Sequence, residues 1–212
     1  MNGWRSTKTS KTARPENQEI FVVCDLNILV MAYIFNPAIM LSDDAYSFGK
    51  IYIHQTVYEE LSRWRYAGGK LKKFGLELFE GMLRKCEELA IDEKVMADAE
   101  KENIFRRAMW VERGLPPAKV SSSASDPDRT YLAIAIKLKA NLATEDLTLV
   151  SVAQRMIGPT RVFNFADMVL DRYRAKKISL AQIREGKKQM DLYIENFSNS
   201  KSSETIKALL AQ

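Results

Sequence analysis

The chain has 212 residues, 46% of them apolar, enough for one domain with appendages and a real hydrophobic core. Its 32 Lys and Arg against 27 Asp and Glu leave a formal charge of +5, which mildly favours a polyanionic partner. Two cysteines, Cys24 and Cys86, exclude a disulfide framework; a lone His54 excludes multi-histidine metal sites; the apolar runs are too short to cross a bilayer.

The start, MNGWRSTKTSKTARPENQ, is polar and no secretory leader, so a soluble protein of a reducing, cytoplasmic compartment with no membrane partner is expected. Residues 1–18 read as a basic disordered tail carrying Arg5, Lys8, Lys11 and Arg14. The run 20–24 (IFVVC) reads as a strand buried on both faces, with Asp25 at its carboxyl end. Residues 26–35 follow as an apolar helix stopped by Asn36-Pro37. A second strand is expected over 50–54, then a helix over 55–66 closed by Gly68-Gly69. Residues 70–90 carry Leu71, Phe74, Leu78, Met82 and Leu89 at helical spacing, and 92–113 read as another helix ended by Gly114 and Pro116-Pro117. A Ser-rich loop over 119–125 leads to an apolar helix over 128–139 and a brief strand over 141–144. A helix over 148–156, a break at Gly158-Pro159, a strand over 161–165, and helices over 167–175 and 179–197 complete the reading. Residues 198–203 read as a Ser/Asn/Lys linker before a last short helix. Strands alternating with helices imply an α/β fold, a mainly parallel sheet with helices on both faces, and a working site beyond the strands' carboxyl ends.

Four acids fall at that edge. Asp25 ends the first strand, where it also suits a helix N-cap. Thr56-x-x-Glu59 reads as a capping box, which gives Glu59 a structural task. Glu60 has none: it lies on the edge of the Val57, Leu61 and Trp64 stripe, where a peripheral salt bridge is the alternative to a ligand role. Asp126-Pro127 reads as N-cap and N1, which places Asp128 in the first turn, either complementing the helix dipole or facing the sheet edge. Asp146 follows the 141–144 strand, with Thr144 as its neighbouring hydroxyl; a turn acid is the alternative reading. Two unit charges about 5 Å apart repel by roughly 3 kcal/mol at an effective dielectric near 20. Clustered carboxylates therefore call for protonation or a divalent cation, and hard oxygen donors select Mg²⁺ or Mn²⁺.

In this order, Asp25-Leu-Asn27 after an apolar strand, Val57-Tyr-Glu-Glu60-Leu61, Asp128 opening an Ala-rich helix, and Leu142-Ala-Thr-Glu-Asp146 resemble the PIN-domain nucleases over about residues 20–170. The resemblance implies a three-layer α/β/α sandwich and divalent-metal-dependent hydrolysis of phosphodiester bonds, usually in RNA. It implies a catalytic, metal-binding quartet at Asp25, Glu60, Asp128 and Asp146, supported by Asn27 and Thr144. Asp126 stands as the alternative ligand if the register shifts. Many small members resemble the VapC-type toxins, which implies an antitoxin as protein partner, but this chain departs from the compact toxins. Its stretch between Glu60 and Asp128 is longer, a helical insertion at about 70–118, and helices over 171–212 extend the 19–170 domain. The chemistry does not use the RNA 2′-OH, so a structure-specific DNA nuclease and a catalytically weak RNA-binding scaffold are the alternatives.

Residues 61–76 hold Arg63, Arg65, Lys70, Lys72 and Lys73 and Trp64 and Tyr66, a pattern suited to tracking a phosphate backbone or to capping helix ends. The run from Arg172 to Lys188 reads as solvated helix faces. The stripe Leu180, Ile183, Met190 and Ile194 docks on its own domain in the simplest reading, with a homodimer or another protein as the alternatives. His54 and Cys24 read as packing residues.

Overall fold

The computed structural model describes residues 20–66, 76–83, 98–120, 123–194 and 197–211. The basic tail at 1–18, Gly68-Gly69, Lys70, Lys72, Lys73, Cys86 and Leu89 lie outside these residues, and Arg65 is described by its backbone alone.

The fold is α/β, built on a parallel sheet. Strands β1 (Phe21–Cys24), β2 (Lys50–Tyr52), β3 (Asn141–Ala143) and β4 (Val162–Phe163) run in the order β2-β1-β3-β4. All three pairings are parallel, with Val22 opposite Ile51 and Asn141. Because β1 is flanked on both sides, Val22, Val23 and Cys24 are buried, as the unbroken apolar run requires.

Helix α1 (Leu26–Phe35) follows at once, then α2 (Pro37–Met40) and α3 (Thr56–Tyr66). Next come α4 (Leu76–Leu83), α5 (Asp98–Arg113), α6 (Asp126–Lys137) and α7 (Leu147–Ile157). The last three are α8 (Phe165–Arg174), α9 (Leu180–Tyr193) and α10 (Lys201–Leu210). They pack in two groups: α5, α6 and α7 against one another, with α6 on β1 and β3, and α1, α2, α8, α9 and α10 against one another.

The reason for the second group lies in α1. Its sequence, LNILVMAYIF, is apolar all round, so the helix needs cover on every side. Helix α9 supplies much of it. Gly186 lets α9 come so close to α1 that an added Cβ would sit 2.7 Å from the Phe35 ring. The stripe residues Ile183 and Met190 thus bury in the chain's own core, together with Phe197, Ile206 and Leu209.

Three local readings are corrected. Residues 198–203 form no linker: Ser200 caps α10, and Ser202 and Ser203 are buried in its first turn. The run from Arg172 is not solvated throughout, since Arg172 is 1% exposed. Its guanidinium lies 3.7 Å from the Tyr46 ring centroid and donates to the carbonyls of Asp44 and Ala45, tying α8 to the loop before β2. Thr56 and Glu59 do not box the start of α3. The Thr56 hydroxyl pairs with His54 Nδ1 at 2.8 Å, while the Glu59 carboxylate accepts from the Gln55 side chain. His54 itself is buried, consistent with a packing role.

Among the described residues, no helix is long and apolar enough to cross a membrane.

Candidate metal and phosphodiester site

Asp25 leaves the carboxyl end of the doubly flanked strand β1 and is 2% exposed. Its Oδ1 accepts from the Ile28 amide at 2.8 Å, so the side chain caps α1. Its Oδ2 accepts from the hydroxyl of Thr144, which lies directly beyond β3, the strand paired to β1. That hydroxyl also accepts from the Asp146 amide at 3.1 Å, so one threonine couples two of the expected acids.

Asp146 caps α7, its Oδ1 accepting from the Leu149 amide at 2.6 Å. Glu60 stands half-buried on α3, and its Oε2 accepts from the Tyr131 hydroxyl at 3.0 Å. Asp128 is the N3 residue of α6. Its Oδ2 accepts from the Ser125 amide at 2.7 Å and the Ser125 hydroxyl at 2.6 Å, a complete capping box. This corrects the expected helix start: Ser125, not Asp126, is the N-cap. Asp126 points outward, its side chain 83% exposed and paired with Arg129.

The electrostatics tie the four acids together. Burial pushes the Asp25 carboxyl up to about 8, against the two hydrogen bonds it accepts, and the charges of Glu60 and Asp128 add to the rise. Burial likewise raises Glu60; the Tyr131 hydrogen bond opposes it and Asp128 reinforces it. Burial raises Asp146 too, with Asp128 again adding to the rise. Asp128 is thus the acid that the other three feel, and Asp126 enters none of these interactions. Among the described residues, none of the four acids forms a salt bridge. Asn27 is exposed at the start of α1, and Arg63 is exposed on α3, where its charge lowers Glu60 slightly.

Two participants escaped the sequence reading. Tyr131, buried on α6 one turn after Asp128, orients Glu60; spacing within α6 places it on the Asp128 face, yet its partner lies 71 residues away. Glu112 on α5 approaches Arg129, at 3.8 Å, and adds its charge to the field at Asp146.

The donor set suits a hard divalent cation: all oxygens, repelling one another and paired with no cation among the described residues. The described hydrogen bonds fall on one oxygen each of Glu60 and Asp128, Oε2 and Oδ2. No three Asp, Glu, His or Cys side chains among the described residues already stand close enough to hold one ion. The arrangement is therefore an oriented set of carboxylates rather than a closed cage. No family model and no curated protein matches the chain.

Proposed function

We propose that the chain is a divalent-metal-dependent nuclease that hydrolyses RNA phosphodiester bonds, with Asp25, Glu60, Asp128 and Asp146 as its metal-binding, catalytic residues. The same reading takes the sheet as the middle layer of a PIN-like α/β/α sandwich, with the two helix groups as outer layers. One observation carries it: a carboxyl buried at a strand end, raised by burial and by two neighbouring acids, with no cation beside it among the described residues. Capping alone calls for no such neighbours, because the cap bond to the first amides of a helix needs only the one carboxylate.

When bound, Mg²⁺ or Mn²⁺ supplies neutralisation of the phosphate and a more acidic water at neutral pH. The protein's part is orientation. Thr144 fixes Asp25, Tyr131 fixes Glu60, the Ser125 box fixes Asp128, and the first amides of α7 fix Asp146. Each acid is thus held by a group on, or directly at the end of, a strand or helix, which lowers the reorganisation that metal binding requires. Burial around Asp25 excludes water and strengthens every interaction there.

Purified protein is expected to cut an RNA pool with Mn²⁺ or Mg²⁺ and to stop with EDTA, while Asp25→Asn folds and loses at least a hundredfold in rate. Equal rates for wild type and variant would falsify the assignment. A DNA panel of the same sequences decides between the two nucleic acids. As a binding readout, Mn²⁺ should raise the melting temperature of wild type more than that of Asp146→Asn.

A further inference from the structure

A second feature adjoins the acidic cluster. Beyond the carboxyl ends of β3 and β4 lies a cavity of about 360 Å³, within the ordinary range of small-molecule sites, roughly 300–1,000 Å³. Thr144 is the shared wall: its hydroxyl serves Asp25 and Asp146, and the residue also lines the cavity. The four acids themselves do not line it, so the link between cavity and acids runs through this residue.

The lining has three parts. Leu147, Val150 and Phe163 give an apolar surface. Leu147, at the first position of α7, is 51% exposed, unusual for a leucine adjoining a buried site. The Phe163 ring is held by stacking on Phe48, with centroids 4.1 Å apart, so it offers a rigid surface. Ser151 and Gln154, one turn further along α7, bring hydrogen-bonding groups to the same wall.

The charges are sorted. Both acids of the cavity are engaged by helix starts. Asp167 accepts from the Asn164 amide at 2.9 Å, and Glu145 accepts from the Phe165 amide at 2.7 Å and from the Ser202 hydroxyl. The two lysines, Lys119 and Lys201, are exposed; neither makes a salt bridge among the described residues, though the Lys201 charge acts on Glu145. A mixed lining, with apolar side chains on one wall, hydrogen-bonding groups beside them and two exposed lysines, matches a planar heterocycle with phosphates attached. A helix or a strand of a protein partner has no comparable need for paired cations around a small cavity.

We propose that this cavity seats one nucleoside of a single-stranded nucleic acid, its base against Leu147, Val150 and Phe163 and its flanking phosphates at Lys119 and Lys201. The inference deepens, and rests on, the phosphodiesterase reading of the neighbouring acids. It gives that site a strand-gripping subsite outside the acids themselves.

The experiment is equilibrium binding of a fluorescent single-stranded RNA octamer to the full chain in EDTA, where no cleavage occurs. Ser151→Trp, which fills the cavity from α7, is expected to weaken binding at least tenfold. Lys119→Ala/Lys201→Ala is expected to weaken it and to reduce the salt slope by about 1.4, the share of two phosphates on a single strand. Gln154→Trp, at an exposed position on the rim, provides a second filling variant if Ser151→Trp melts early. Unchanged affinity in a folded filling variant, or an unchanged salt slope in the lysine variant, overturns the proposal even if the protein cleaves RNA. Loss of binding in these variants, with no cleavage under any metal, upholds the subsite and rejects the nuclease reading.

Discussion

Asp25 is a carboxyl that folding has turned into a weak acid. Its ordinary value is 3.8; in the folded chain burial lifts it to about 8. Between those values the folded state keeps a proton that the unfolded chain has lost, so stability falls as pH rises from about 4 to about 8. Asp25→Asn keeps an acceptor for the Ile28 amide and removes the titration. The variant is therefore expected to gain stability over wild type at pH 8, on the order of a few kcal/mol, and almost none at pH 4.5. Urea unfolding across that range measures it; parallel pH curves for the two proteins would reject the buried-acid picture. The residue scale also explains how much of the site could be read in advance. A helix cap for Asp25, a dipole partner for Asp128 and a turn acid for Asp146 are the sequence's alternatives to a ligand role, but a carboxylate has two oxygens and two lone pairs on each. The backbone engages each of these acids, and the capping geometry is what aims it. Tyr131 and Glu112 were not legible, because a contact between helices leaves no mark on local spacing.

At the scale of elements, the junction of α1 with α9 carries the most weight. Gly186→Ala adds helix propensity to α9, worth about 1 kcal/mol in its favour. The new methyl would meet three ring atoms of Phe35 at 2.7–2.8 Å, and that ring is held edge-on against Phe165 with centroids 5.4 Å apart. Overpacking at such a place costs roughly 1–3 kcal/mol, so a net loss is expected. Chemical denaturation reads it directly, and an increase in stability would show that the two helices have room to spare. Strand and helix positions followed from apolar runs and stop residues because those signals are local. The 198–203 segment did not, since serine serves equally as linker, cap and buried hydrogen-bond donor. Ser202 is settled by Glu145 and by the Ala166 amide, residues far away in sequence.

The whole molecule closes on its C-terminal helices. Ile206 and Leu209 of α10 join the common core, and Ser202 holds the half-buried Glu145 just beyond β3. Removing residues 200–212 deletes both of these buried aliphatic side chains and exposes the core they cover, at about 1.5–3 kcal/mol for each side chain lost. The expected fall in melting temperature is roughly 6–24 °C. A truncated chain that melts with wild type would make α10 an appendage. The pairing of β1 with β3 sets a further condition, on time rather than energy. Asp25 waits for Thr144, 119 residues downstream. At synthesis rates of about 5–20 residues per second, that interval lasts roughly 6–24 s. Through all of it the nascent chain has an apolar first strand that lacks β3, one of its two sheet neighbours, and an α1 sequence without its α9 cover. The acids of the candidate site cannot gather during that period, so any activity their assembly confers begins only after Asp146 has been made.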